Sequence, residues 1–158
     1  MAIDMNVFHG FAEQIKGLPQ MAKPTDCPEN QRVQHAMSVF AEKLDASKAT
    51  QLESCMHCGM CAEACQFYIE TEDPSLTPIR KLDLPKRFYR REKAPLRFFH
   101  RFFEPEISEA DLEATQFLVY ESCTECGRCG LACPMGLDIA SMVNVTRQGL
   151  AHAGLIPA

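Results

Sequence analysis

The sequence predicts a mainly α-helical chain built as two like halves, and three observations carry that expectation. Apolar residues recur at helical spacing in four separate stretches. No alternating apolar–polar run of useful length marks a strand. One cysteine spacing occurs twice, as Cys55-x2-Cys58-x2-Cys61-x3-Cys65 and as Cys123-x2-Cys126-x2-Cys129-x3-Cys133, with a helical stretch leading into each copy.

Taken in order, Ile3, Val7, Phe11, Ile15 and Leu18 share one helical face, and Gly17 marks a natural stop. Pro19 to Pro28 reads as a loop. Val33, Met37, Phe40 and Leu44 mark a second amphipathic helix, which is expected to deliver the chain directly to the first cysteine run. After Cys65, Asp73 to Pro78 is irregular, and Pro85 and Pro95 break any single long helix in the stretch beyond it. Ser108, followed by Glu109 and Asp111, has the form of an N-cap with an acidic first turn. Leu112, Thr115, Gln116 and Val119 then share a face that runs into Cys123. Beyond Cys133-Pro134, Asp138 caps a last helix carrying Ile139, Met142, Val143 and Leu150, which ends near Gly154 and Pro157.

The cysteines carry the chemistry. Four thiolates within eleven residues make a ligand set for a cubane iron–sulfur cluster, and two such sets imply two 4Fe-4S clusters. Steps of three residues let a tight loop turn three sulfurs toward one centre, while the fourth lies about one helical turn further on. Structural zinc favours two separated Cys-x2-Cys pairs, so a zinc-stapled interaction module is the alternative of another class. A disulfide framework suits an exported protein, but Met1-Ala2-Ile3-Asp4-Met5 has no basic n-region or long apolar h-region, and a reducing cytoplasm is the expected setting. Cys27, outside both runs, reads as a plain loop thiol.

Composition bounds the remaining classes. The 158 residues are 46% hydrophobic, enough for a core. No apolar run approaches the roughly 20 residues that span a bilayer. The net charge of −5 hides an asymmetry: nine Lys or Arg lie between Arg80 and Phe103 against only Asp83 and Glu92. This basic, aromatic-rich arm, residues 80–103, admits three readings. Nucleic-acid binding is set aside for overall acidity and want of a reader motif. An anionic membrane surface would meet Leu96, Phe99 and Phe103 on one face, with Arg97 and Arg101 at the flank. The third reading has the arm docked on a partner subunit, or packed on its own body with the cations left in water.

At the motifs Glu53-Ser54-Cys55-Met56-His57-Cys58-Gly59-Met60-Cys61, Tyr120-Glu121-Ser122-Cys123-Thr124-Glu125-Cys126-Gly127-Arg128-Cys129 and Cys133-Pro134-Met135-Gly136-Leu137-Asp138-Ile139, the chain resembles the helical ferredoxin module. It is similar in particular to the C subunit of heterodisulfide reductases, over about residues 50 to 155. In bacterial two-cluster ferredoxins the fourth cysteine of each run ligates the other cluster. Carried over, that resemblance implies one cluster on Cys55, Cys58, Cys61 and Cys133, and another on Cys123, Cys126, Cys129 and Cys65. It implies two pseudo-symmetric helix–cluster loop–helix halves with exchanged fourth cysteines. Two departures stand out. Cys65 is followed by Gln66 where Cys-Pro is common, so the turn there is expected to differ. The chain also lacks the Cys-Cys-Gly repeats that mark the family's disulfide-reducing subunits.

The expected function is an electron-transfer subunit without an active site of its own, relaying single electrons between a flavoprotein and a catalytic iron–sulfur subunit in a heterodisulfide-reductase-like complex. The alternative is a soluble arm of a membrane quinone-linked dehydrogenase, peripheral on the inner face through its partner. Residues 1–48 read as a helical extension that meets a partner, and residues 49–158 as the two-cluster domain. His57 and Arg128 sit between cysteines, one in each run, and Arg128 is a candidate for raising the potential of the cluster on Cys123, Cys126 and Cys129. Gly59, Gly127 and Gly130 allow close backbone approach in the loops, while Met56, Met60 and Met135 read as apolar cover.

Overall fold

The computed structural model describes residues 27–157. The helix expected over Ile3 to Leu18, and all of the expected loop before Cys27, lie outside that range. Among the described residues the regular structure is helical throughout, without a strand.

Helix α1, Glu29–Lys43, buries Ala36, Val39 and Phe40, with Val33 and Met37 packed partly against the same core. Its last carbonyls are capped from outside: Lys93 Nζ donates to Ala41 O and Leu44 O, each at 2.7 Å. A cation is favoured there because the helix C-terminus leaves carbonyls unpaired. The expected direct entry into the first cysteine run is corrected. Leu44 leaves helical geometry at ψ 82, and Asp45 starts a separate helix α2, Ala46–Ser54, by accepting from the Lys48 N–H at 2.9 Å. It is α2 that ends at Cys55.

The long connection between the cysteine runs is ordered. Short helices α3, Met60–Glu63, and α4, Gln66–Thr71, are followed by 3-10 turns at Pro74–Leu76 and Arg80–Leu82 and by α5, Asp83–Glu92. Pro85 does not break α5. It lies in the first helical turn, where its missing N–H has no partner to lose, so only Pro95 acts as the expected break. Helix α5 buries Leu84, Phe88, Tyr89 and Arg91 against the body. The following helix α6, Arg97–Phe103, buries none of its residues, and Phe98 and Phe102 are 81% and 84% exposed. The basic arm is therefore two unlike parts, one packed on the body and one standing in solvent.

Ser108 caps α7, Glu109–Gln116, through the expected device, and Asp111 reciprocates to complete a capping box. The helix then widens into a π turn, Phe117–Glu121, just before Cys123. Helix α8 is Arg128–Leu131. Asp138, accepting from the Ser141 N–H at 3.0 Å, caps α9, Ile139–His152. Helix α9 is the central post: Ile139, Met142, Val143, Val145 and Leu150 are all buried, and α1 packs along it more extensively than any other pair. That close packing depends on Gly149, whose site has no room for a side chain beside Phe40.

Candidate metal centres

The two cysteine loops are conformational copies. In each, the residue before the second cysteine takes a left-handed conformation (His57 φ 54, Glu125 φ 53), as does the glycine after it (Gly59 φ 81, Gly127 φ 75). Each glycine then caps a short helix holding the third cysteine, α3 in the first run and α8 in the second. Non-glycine residues rarely adopt this geometry, so its repetition at the same place in both loops marks a shared requirement. A β-carbon at Gly59 or Gly127 would meet nothing within 4 Å; there the glycine is needed for φ rather than for space. Gly130 is the reverse case, since a β-carbon there would approach Leu137 O to 3.0 Å.

Helices α3 and α8 pack on each other, and this contact brings the end of each run to the start of the other. One cavity, about 290 Å³, is lined by Cys123, Cys126 and Cys129 together with Cys65. A second, tighter cavity of about 20 Å³ is lined by Cys55, Cys58 and Cys61 together with Cys133. Ile139, at the start of α9 and 3% exposed, lines both and forms their common wall. The second cysteine of each run, Cys58 and Cys126, faces solvent.

The thiols have the chemistry of a metal-binding set. Burial pushes the Cys129 thiol up to about 11, and negative charge on Cys123 and Cys126 acts in the same direction. Burial also raises Cys61, helped by Cys55, Cys133 and Cys58. Crowded thiolates of this kind call for a strongly positive group among them. Backbone donors are already in place: the Arg128 N–H pulls the Cys126 thiol down, and the Glu125 N–H lies 3.4 Å from Cys123 Sγ. Among the described residues no three His, Cys, Asp or Glu side chains meet closely enough to hold one ion; the sulfurs instead surround a space. The first cavity has room for a multi-atom inorganic group, whereas the thiols of the second must move apart to admit one. The donor sets fit 4Fe-4S chemistry, in which cysteine thiolates alone ligate the iron.

The two runs continue differently, as the Gln66 departure implies. Cys65 is itself the cap of α4, which begins at once. After Cys133, Pro134 starts a turn through Gly136 (φ 66), and helix resumes only at Ile139. His57 sits at the exposed rim of the tighter cavity, its Nε2 2.6 Å from Lys86 Nζ. Burial, then the charges of Lys86 and Arg90, hold its pKa below the ordinary imidazole value. Arg128 lines the larger cavity but is exposed. Met56 and Met135 line the tighter cavity at its rim, and all three loop methionines are exposed. Cys27 is buried outside both cavities, with its Sγ 3.7 Å from Pro28 O.

Two residues matter here that no sequence motif singles out. Arg147 of α9 donates from Nε and Nη2 to Val119 O at 2.8 and 2.6 Å and from Nη2 to Cys123 O. Its Nη1 pairs with Glu125 at 3.2 Å. It thus fastens the π turn and the second cysteine loop to α9. The one Lys, Arg, Asp or Glu in the helix Ile139–His152 is the available signal. Lys81, counted among the cations of the basic arm, is 2% exposed, and its sequence neighbourhood carries no sign of burial.

The family model for the 4Fe-4S dicluster domain matches residues 54–138, which takes in both cysteine runs. The chain belongs to the 4Fe-4S dicluster family. As a member it is an iron–sulfur protein that carries 4Fe-4S clusters, and the relatives it is similar to are named as subunits of Hdr-like and heterodisulfide reductase enzymes. It is 33% identical over 132 residues to an Hdr-like menaquinol oxidoreductase iron-sulfur subunit 2 of Archaeoglobus fulgidus, covering 81% of this chain and 23% of that one. The D subunit of a dihydromethanophenazine:CoB–CoM heterodisulfide reductase of Methanosarcina mazei is 29% identical over 124 residues, covering 76% of this chain and 29% of that one. This dicluster chain therefore spans only about a quarter of the length of the curated relatives it matches. No solved structure matches it.

Proposed function

We propose that this dicluster protein is a two-centre electron-relay subunit, with one 4Fe-4S cluster on Cys55, Cys58, Cys61 and Cys133 and the other on Cys123, Cys126, Cys129 and Cys65. The observation that carries the reading is the lining of the two cavities, each by three cysteines of one run and the last cysteine of the other. Bound there, the clusters would supply one-electron carriers. The chain's own residues do the rest. Ile139 and Val143, with Phe67 and Pro78, wall the larger cavity against water; Ile79, Leu82 and Leu137 do so for the smaller. The outward-facing Cys58 and Cys126 leave each centre one approach for a redox partner.

The partners proposed are a flavoprotein on one side and a catalytic iron–sulfur subunit on the other, within a heterodisulfide-reductase-like complex. A second reading, an arm of a membrane quinone-linked dehydrogenase, draws on the menaquinol oxidoreductase named for the Archaeoglobus relative and on the solvent-exposed aromatic helix α6. Among the described residues no helix is long and apolar enough to cross a membrane, so that reading assigns the membrane contact to a partner. Anaerobic purification of the native complex tests both. About eight iron and eight labile sulfide per chain, bleached by dithionite, is the expected content; about two zinc and no sulfide would sink the relay. A co-purifying flavoprotein favours the first reading, and a membrane quinone-reactive subunit the second.

A further inference from the structure

Lys81 belongs to the larger cavity, not to the solvated arm. Its ammonium donates to Ser122 O, lies 4.0 Å from Cys65 Sγ and sits 5.4 Å from the centre of the Phe67 ring. The side chain lines the same cavity as Cys123, Cys126 and Cys129. Among the described residues, none of the ion pairs involves Lys81. A carbonyl and an aromatic face satisfy the ammonium only in part. A buried ammonium without a counter-charge is among the costliest groups a fold can contain. The larger cavity also holds Glu125, but that carboxylate is paired with Arg147. What remains to balance Lys81 is negative charge on the cysteine sulfurs and on the group they bind.

The tighter cavity has no counterpart. No lysine or arginine lines it, and Lys86 reaches only the exposed ring of His57 at its rim. Charges at a wet rim are screened, whereas one sealed beside a sulfur acts through a low dielectric. Adding an electron makes a cluster more negative, so a fixed cation at contact stabilises the reduced form more than the oxidised one.

We propose that Lys81 is the built-in counter-charge of the centre on Cys65, Cys123, Cys126 and Cys129, and that it makes this centre the more easily reduced of the two. The inference rests on the ligand sets proposed above. It gives the relay an order: an electron shared between the centres settles at the Cys123 loop, the side that Arg147 fastens to α9. Lys81 is a tuning residue. It forms no bond to the reacting iron and acts through its charge.

The test is a potentiometric titration, followed by electron paramagnetic resonance, of anaerobically purified full-length protein. The wild type is compared with Lys81→Met, Lys81→Gln and Lys81→Arg, and Cys65→Ser identifies the signal of the centre concerned. In the wild type that signal is expected to develop first as the potential falls. Lys81→Gln and Lys81→Met should shift its reduction equilibrium tenfold or more toward the oxidised form, about 59 mV for one electron. The other signal should stay in place, and Lys81→Arg should stay near the wild type. Loss of this one centre in the Met and Gln variants, with the Arg variant retaining it, also supports the charge. Unmoved potentials with full iron and sulfide overturn the proposal, as does an Arg variant that behaves like Met. Wild-type protein without labile sulfide overturns the ligand sets themselves, a separate result.

Discussion

The ring of Phe40 occupies the space that a side chain on Gly149 would need: a β-carbon built there would lie 2.7 Å from the ring's Cε1. Helices α1 and α9 approach as closely as they do because of that one missing methyl, and Phe40 reaches on to Phe88 of α5 at 5.7 Å between ring centres. Gly149→Ala should therefore lower stability by about 1–3 kcal/mol, the usual cost of overpacking a filled core. A chemical-denaturation midpoint measured anaerobically checks it. A midpoint equal to or above the wild type would show that the helices can part at no cost.

The proposed exchange of fourth cysteines separates two otherwise similar variants. Cys65→Ser should disturb the centre whose other thiols are Cys123, Cys126 and Cys129, and Cys133→Ser the one with Cys55, Cys58 and Cys61. Spectra of each variant, compared with those of Cys123→Ser and Cys55→Ser, decide the matter. If Cys65→Ser pairs with Cys55→Ser, each run binds its own group and the crossing is wrong.

Arg147→Met should loosen the second cysteine loop alone. It leaves Val119 O and Cys123 O without their donor and Glu125 without its cation. An unpaired buried carbonyl costs about 1–3 kcal/mol. The expected signature is faster amide exchange over residues 117–126, with exchange around Cys55 unchanged.

Asp111 ties pH to stability. Burial alone would raise its pKa, but hydrogen bonds from Arg87 and Ser108 outweigh that and hold the carboxyl below its ordinary range; Arg87 Nη1 is 2.7 Å away. A depressed folded pKa means the contribution is fully present above the ordinary carboxylate range and is lost as pH falls through the lower, folded value. Asp111→Ala should cost about 1 kcal/mol near neutrality. The deficit relative to wild type should shrink on acidification below about pH 4. A deficit independent of pH would rule out the ion pair as its source.

Arg128 offers a direct comparison with Lys81. The sequence singles it out as a tuning cation, yet it is exposed where Lys81 is sealed. Water and salt weaken an exposed charge. Arg128→Gln should move the potential of the Cys123-loop centre in the same direction as Lys81→Gln but by much less, and the remaining effect should fade as ionic strength rises. Equal shifts in the two variants would show that burial is not what counts.

Much of this is legible in the sequence because the signals are local. Ser108 and Asp138 are recognisable as caps from the residues that follow them, and both cap as expected. The cysteine repeat names its chemistry through spacing alone. What escapes is decided by distant parts of the chain. Asp45 begins a new helix in a stretch whose apolar spacing reads straight through toward Cys55. Pro85 looks like a break until its place in the first turn of α5 is known. Lys81 and Arg147 are surface residue types by composition, and only the meeting of α9 with the two loops turns them inward. The π turn at Phe117–Glu121 likewise has no local signature; its freed carbonyl at Val119 is answered from α9, 28 positions away.

That Cys133 closes the space around Cys61 has a bearing on biosynthesis. On the proposed ligand set, the chain must be made as far as Cys133 before four sulfurs can gather there, so the first run cannot receive its inorganic group as it emerges. If that ligand set holds, a polypeptide ending short of Cys133 offers three of the four sulfurs, and maturation machinery acting on the first run alone could not complete the site.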